Sequence, residues 1–246
     1  MKLKTIQASS FKATFEVLKD ILNDVNIYFD KNGVKMVTLD TARVALVDLE
    51  LSHDNFEEYE CESSIVAGVN VTNMFKLLKT ISTTDTLTLE ISNRDVMNIL
   101  IENSVKKSKT NFQLKLLDID EDHIQVPEVP ISVCTVMPSI DFQRICRDMN
   151  NFASEISITR TDDRFVFSCV GDFANQETII SCSDKVDNKY TGTFSLKYLN
   201  IFTKATGMCS SVQILQEEEN RFLVLQYNVA NLGDLKFYLA TKVEDS

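Results

Sequence analysis

MPSIDFQRICRDMNN, residues Met137 to Asn151, opens with two helix-start residues, Pro138 and Ser139. Phe142, Ile145, Cys146 and Met149 then follow at the spacing of one buried helical face. Arg144 and Arg147 stand three apart on the other face, so their guanidinium groups leave the helix on the same side. A surface meant to meet an anion has this form, and three other stretches share it.

The spacing predicts a helix over Phe11–Leu22, with Phe11, Phe15, Leu18 and Leu22 inward and Lys12 and Lys19 outward. A second helix is expected over Val71–Ile81, with Val71, Met74, Phe75, Leu78 and Ile81 inward and Lys76 and Lys79 outward. A fourth, Leu196–Thr206, carries Lys197 and Lys204 and is closed by Gly207. Strand signals precede or follow each: Leu3–Ala8, Val25–Phe29, Gly33–Leu39, Val44–Leu51, Thr86–Ile91, Val96–Glu102 and Thr110–Leu117 in the first half. In the second half they are Ile156–Thr161, Arg164–Cys169, Glu177–Cys182, Val212–Gln216, Phe222–Tyr227 and Leu235–Ala240. Four helices, each followed by a strand meander, amount to a fourfold internal repeat and an α+β fold.

Between the halves, Asp118–Pro130 combines the acids Asp118, Asp120, Glu121 and Asp122 with two of the chain's three prolines, Pro127 and Pro130. That composition marks an extended connector. The expected organisation is a domain over 1–117, a linker over 118–134 and a second domain over 135–246. At 246 residues, with 44% hydrophobic and 25% charged content, both halves can bury a core.

The four helical stretches hold eight basic residues against four acidic ones (Glu16, Asp20, Asp141, Asp148), whereas the whole chain has 25 basic and 36 acidic residues and a net charge of -11. Bulk electrostatics therefore repels nucleic acid, and any contact with it must be local. Two lysines on one exposed helix face are most often ordinary solvated surface. Four helices with the same device point to one face that meets a polyanion.

Catalysis finds little support. The two histidines lie in a polar loop (His53) and in the acidic connector (His123), where a general base is not expected. Asp118-Ile119-Asp120-Glu121-Asp122 starts like a calcium loop but has His123 at the glycine position and Val129 at the final glutamate position. Asn70-Val71-Thr72 is better read as helix capping than as a glycosylation site. No metal or cofactor is expected. Six cysteines without a C-x-x-C pair suit a reducing compartment, and the N-terminus has no apolar core of a signal or membrane segment, so an intracellular soluble protein is expected.

The chain resembles, from end to end, the eukaryotic-type DNA sliding clamp family of proliferating cell nuclear antigen. The resemblance is carried by Phe142-Gln143-Arg144-Ile145-Cys146-Arg147-Asp148, Tyr198–Thr206, Gly68–Thr72, Lys115–Asp120 and the tail Tyr238–Asp245. It implies two similar domains, each of two β-α-β-β-β units, and a homotrimeric ring whose helices line a hole around double-stranded DNA. Lys12, Lys19, Lys76, Lys79, Arg144, Arg147, Lys197 and Lys204 would then be the DNA-contacting residues. Subunits would join through edge strands, with Lys109, Phe112 and Leu114 of one chain meeting Thr178, Ile180 and Cys182 of the next.

The resemblance also implies a groove for partner peptides that carry a glutamine, an aliphatic residue and two adjacent aromatics, as in a DNA polymerase. The groove maps to Leu39, Arg43, Val44, Leu46, Ile124, Val126, Pro127, Phe222, Tyr238 and Ala240. A clamp loader is a further implied partner, a membrane is not, and the implied location is the nucleus or a viral replication compartment. Arg43 replaces a frequent histidine, Phe222 and Thr241 replace frequent prolines, and Asp162 replaces a lysine that many relatives use for modification. Two rival readings stand beside this one: a subunit of a heteromeric clamp, and a metal-dependent nuclease built on Asp118–Asp122.

Overall fold

The computed structural model describes residues 1–120 and 124–242. Glu121, Asp122 and His123 of the connector, and Val243, Glu244 and Asp245 of the tail motif, lie outside the described residues. The chain forms two compact units: Met1–Thr41, Val47–Val126 and Asn228–Leu235 make the first; Ala42–Leu46, Pro127–Tyr227 and the residues from Lys236 make the second.

The first unit begins β1 (Lys2–Thr5), α1 (Ala8–Leu18), β2 (Asp24–Asp30), β3 (Gly33–Leu39) and β4 (Ala45–Ser52). It continues with β5 (Glu58–Glu60), β6 (Ile65–Asn70), α2 (Val71–Leu78), β7 (Asp85–Asn93), β8 (Val96–Asn103) and β9 (Ser108–Lys115). One sheet has the order β5-β1-β7-β8-β9, and β4, β3, β2 and β6 neighbour one another in that order. All the described pairings here are antiparallel, so one face can be apolar and the other wet. β8 shows the alternation directly: Met97, Ile99 and Ile101 are buried, while Asn98, Leu100 and Glu102 are not.

The second unit holds β10 (Ile131–Pro138), α3 (Ser139–Met149), β11 (Glu155–Val170), β12 (Asn175–Ser195) and α4 (Leu196–Phe202). A 3-10 turn over Thr203–Gly207, then β13 (Ser211–Glu217), β14 (Phe222–Val229) and β15 (Gly233–Ala240) complete the chain. β10, β13, β14 and β15 neighbour in that order, and β11 and β12 pair with each other.

Each helix follows a strand and precedes three strand segments, with the short β5 added after the first three, so the β-α-β-β-β unit occurs four times. In the third, the segments run together: β11 and β12 form one long hairpin whose register breaks at Asp162. There Thr161–Asp163 faces the longer stretch Cys182–Lys189, and the fully buried Arg160 fills the gap. Its guanidinium donates to the carbonyls of Asp162, Arg164 (3.3 Å) and Asp184 (2.8 Å) and pairs with the Asp184 carboxylate at 3.2 Å. Periodicity alone divides this hairpin into three short strands and does not show Tyr190–Ser195 as a strand, because the bulge interrupts the alternation.

Several short elements escape the sequence reading: β5, β6 and β10 have no strand signal of their own there, and Ala8, expected at the end of the first strand, starts α1. β10 begins at Ile131, inside the stretch read as connector. The fourth helix is regular only to Phe202, and Lys204 stands in the 3-10 turn. Asn70 is a true N-cap, its side chain accepting from the Asn73 N–H at 2.9 Å.

Candidate nucleic-acid interface

The buried face of α3 is Ser139, Phe142, Ile145, Cys146 and Met149, which leaves Arg144 and Arg147 to solvent. Full burial of a side chain such as Phe142 contributes about 2 kcal/mol, which orients the helix and hence the arginines. α1 buries Phe11, Phe15 and Leu18, α2 buries Val71, Met74 and Leu78, and α4 buries Leu196, Leu199 and Phe202.

Within each unit the two helices lie side by side and antiparallel. In the second unit three side-chain bonds to backbone carbonyls fix this: Thr206 to Ser139 (3.2 Å), Gln143 to Thr203 (2.8 Å) and Asn200 to Cys146 (3.3 Å). As one residue number rises its partner falls. In the first unit lysines do the same work, with Lys12 Nζ donating to the Ile81 carbonyl at 2.7 Å and Lys19 Nζ lying 5.3 Å from the Phe75 ring centroid.

The eight sequence-predicted basic residues therefore differ in kind. Lys76, Lys79, Arg144, Arg147, Lys197 and Lys204 are exposed, whereas Lys12 and Lys19 are half-buried in the contact between α1 and α2. Lys19 also pairs with Asp20 at 3.0 Å. Arg144 pairs with Asp141 at 3.0 Å and Arg147 with Asp148 at 3.6 Å, yet these arginine side chains remain 62% and 67% exposed. Such pairs are weak and exchangeable, so both arginines remain available to an incoming anion.

The ten residues of the expected partner groove divide between the units. In the first, Leu39 ends β3, and Ile124 and Val126 are half-buried. The last two line, with Tyr28, Val37, Ile65 and Val66, a cleft of about 570 Å³. In the second unit, the Ala240 N–H donates to the Val44 carbonyl at 3.2 Å. Leu46 and Tyr238 are buried, and Pro127 and Phe222 are half-buried. Arg43 adopts a positive φ of 56°, a conformation in which asparagine, aspartate and histidine are the commoner non-glycine residues.

Two departures from the family pattern carry bonds that proline could not make. The Phe222 N–H donates to Glu217 Oε1 at 3.1 Å, and the Thr241 N–H donates to the Arg221 carbonyl at 2.9 Å. Glu217 itself is fully buried and also accepts from the Arg221 N–H at 2.9 Å. Asp162 sits at φ 43° in the register break, held by Arg160.

The expected subunit-interface residues lie on strands with one open side. β9 ends its sheet, with Lys109 exposed and Phe112 and Leu114 half-buried. Among the described strands β12 pairs only with β11, and Thr178, Ile180 and Cys182 are half-buried. Sequence reasoning missed the apolar end of the β11–β12 hairpin: Val170 at the close of β11 and Phe173 in the turn are 80% and 79% exposed, and the Phe173 ring meets Phe152 edge-on at 5.8 Å. Isolated exposed residues carry no periodic signal, so only their adjacency reveals them.

Reactive chemistry is sparse. Burial pushes the thiols of Cys61, Cys134, Cys146, Cys169 and Cys182 up from their ordinary value. Among the described residues no group of three or more His, Cys, Asp or Glu side chains could hold a metal ion, and the described part of the Asp118–Asp122 stretch offers none to the nuclease reading.

Comparison with known proteins supplies the family. Residues 1–125 match the model of the proliferating cell nuclear antigen N-terminal domain, and residues 125–242 match that of its C-terminal domain. The chain is also 40% identical, over 250 aligned positions covering 97% of this chain and 95% of the other, to a probable DNA polymerase sliding clamp 1 of Paramecium bursaria Chlorella virus 1. With both domain models matched in order along one chain, and with the repeat of four β-α-β-β-β units beneath them, this protein belongs to the proliferating cell nuclear antigen family.

Proposed function

We propose that the chain is a subunit of a DNA sliding clamp, a non-catalytic processivity factor that encircles duplex DNA and tethers polymerases to it. The observation that carries this reading is the segregation of charge: exposed basic side chains stand on or just past α2, α3 and α4, and half-buried Lys12 and Lys19 on or just past α1, in a chain with net charge -11. Contacts of this kind reach phosphate, carry no sequence information and exchange as the duplex moves. Retention then comes from encirclement, and a loose grip permits sliding.

An internal correspondence supports ring closure by three identical chains. β15 ends the series β10-β13-β14-β15, and its last residue bonds to Val44, just ahead of β4. β9 ends the corresponding series β5-β1-β7-β8-β9, and the first part of β12 corresponds to β4. Pairing β9 of one chain with Asn175–Ser183 of the next repeats the internal contact between chains and removes both open edges. The aromatic turn at Phe173 extends the surface that such a neighbour would cover.

The groove residues Leu39, Arg43, Val44, Leu46, Ile124, Val126, Pro127, Phe222, Tyr238 and Ala240 supply the apolar and backbone groups that a peptide with a glutamine, an aliphatic residue and two aromatics would use. No helix among the described residues is long and apolar enough to cross a membrane. The site of action is the nucleus or a viral replication compartment, where polymerase and clamp loader meet the DNA.

Light scattering on the purified chain tests the assembly, with a particle of about three chain masses expected. A stable monomer would instead indicate a subunit of a heteromeric ring. Sequence-specific, salt-resistant binding of linear duplex by the free protein would overturn the clamp reading altogether.

A further inference from the structure

The turn between β8 and β9, Ser104–Lys107, carries Lys106 and Lys107 side by side, and neither belongs to a helix. Both lysines are exposed, as is Val105 at 80%. A two-lysine turn at the end of a hairpin is ordinarily solvated surface. Its surroundings give it a different weight here.

Asn103, buried at the end of β8, holds the turn in place. Its side-chain carbonyl accepts from the Lys106 N–H at 2.8 Å, and its amide donates to Thr84 Oγ1 at 3.0 Å and to Asp85 Oδ1 at 2.5 Å. Thr84 and Asp85 follow α2, and Asp85 Oδ2 also accepts from the Ser82 N–H at 2.7 Å. The turn is thereby tied to the loop that leaves the C-terminal end of α2. Lys79 caps that end, and Lys12 Nζ reaches the Ile81 carbonyl two residues further on.

Four lysines from three elements, Lys12, Lys79, Lys106 and Lys107, therefore gather around Ile81–Asp85. The nearby acids are engaged: Asp85 is buried and doubly bonded, and Glu102 is taken by Lys109 at 2.6 Å. The corresponding turn between β14 and β15, Ala230–Leu232, contains no lysine.

We infer that Lys106 and Lys107 are further phosphate-contacting residues, extending the basic helical face past the end of α2 so that the duplex backbone is also met at the β8–β9 turn. This rests on the sliding-clamp reading. The two lysines continue the charge of Lys76 and Lys79 on an element that helical periodicity cannot detect. A duplex backbone fits them because its charge is continuous, so a contact at the helix end leads to the next phosphate along.

The test is the salt dependence of binding a short fluorescent duplex by the full-length chain, wild type against Lys106→Gln/Lys107→Asn. Asparagine is chosen because Lys107 has φ 52°, which asparagine tolerates, and Lys106→Gln alone leaves that position untouched. Removing one lysine–phosphate interaction lowers the slope of log K against log salt by about 0.9, so the double variant should show about twice the drop of Lys106→Gln. Lys76→Gln/Lys79→Gln reports the helical face, and Lys35→Gln removes an exposed lysine that is paired with Glu50.

An unchanged slope in the turn variants, with a reduced one in the helix variant, overturns the turn and leaves the clamp reading standing. An equal drop in Lys35→Gln shows that bulk charge suffices and likewise overturns it. No salt-dependent binding by wild type, or no effect of the helix variant either, overturns both.

Discussion

Gly68 and Leu117 lie so close that a Cβ built on Gly68 would stand 2.3 Å from the Leu117 carbonyl oxygen. The Leu117 N–H donates to the Gly68 carbonyl at 2.8 Å, and Asn26 then holds the Ile119 carbonyl at 3.1 Å. The chain leaving β9 is thus strapped across β6 at a position that only glycine permits. The tail uses the same device in the second unit: the Lys242 N–H donates to the Thr193 carbonyl at 2.9 Å beside Gly192, where a Cβ would meet the Phe194 ring at 2.6 Å.

Gly68→Ala should therefore lower stability by about 2 kcal/mol, since backbone must move rather than a flexible side chain. It should also weaken partner-peptide binding by disturbing the path to Ile124 and Val126. Urea denaturation and calorimetry check the two effects, and wild-type values in both would show that the strap is dispensable.

Asp141→Asn should raise affinity for linear duplex several-fold at low salt. The substitution releases Arg144 from a pair at 3.0 Å and removes one negative charge from the helix face. Arg144→Ala should do the reverse. Anisotropy titrations at two salt concentrations decide it, and equal affinities for wild type and Asp141→Asn would mean that Arg144 does not meet DNA.

Alanine at Ile124 and Val126 should each weaken binding of a glutamine-aliphatic-aromatic-aromatic peptide roughly tenfold, the size of loss expected for apolar anchors. Particle mass by light scattering should not change, because neither residue lies on the β9 or β12 edges. Unchanged calorimetric affinity would remove the linker from the groove.

Phe173→Glu should shift the particle towards single chains. The ring is 79% exposed, so the folded chain gives up little beyond its packing on Phe152, whereas a neighbour covering the turn would have to bury a charge. Circular dichroism should match wild type. A full-sized assembly with this variant would place the turn outside the interface.

Acid should weaken the first unit in part through Glu58. Hydrogen bonds from Lys2 (2.7 Å) and Lys4 (3.2 Å) hold its carboxyl below the usual 4.5. A lowered folded value means that its stabilisation is fully present above pH 4.5 and is lost as pH falls through the folded value. Glu58→Gln should flatten the acid limb of a stability-against-pH curve, and an identical limb would assign acid sensitivity to other carboxylates.

Helix faces were legible from the sequence because a 3.6-residue period is local: Phe142, Ile145, Cys146 and Met149 declare their burial by spacing, and Arg144 and Arg147 their exposure. The repeat of helix and meander, and the contrast between helical and total charge, follow from the same local reading. What tertiary structure alone decided concerns pairs far apart in the chain. Lys12 and Lys19 have the spacing of surface lysines but bridge to Ile81 and Phe75, because α2 packs where they emerge. Lys106 and Lys107 look like any polar turn until Asn103 ties them to the end of α2. Arg160 reads as a strand-end charge, yet it is wholly buried, since the bulge at Asp162 turns three carbonyls inward that only a donor-rich side chain can satisfy. Periodicity reports which side of an element is apolar, and it carries no information about what the polar side will touch.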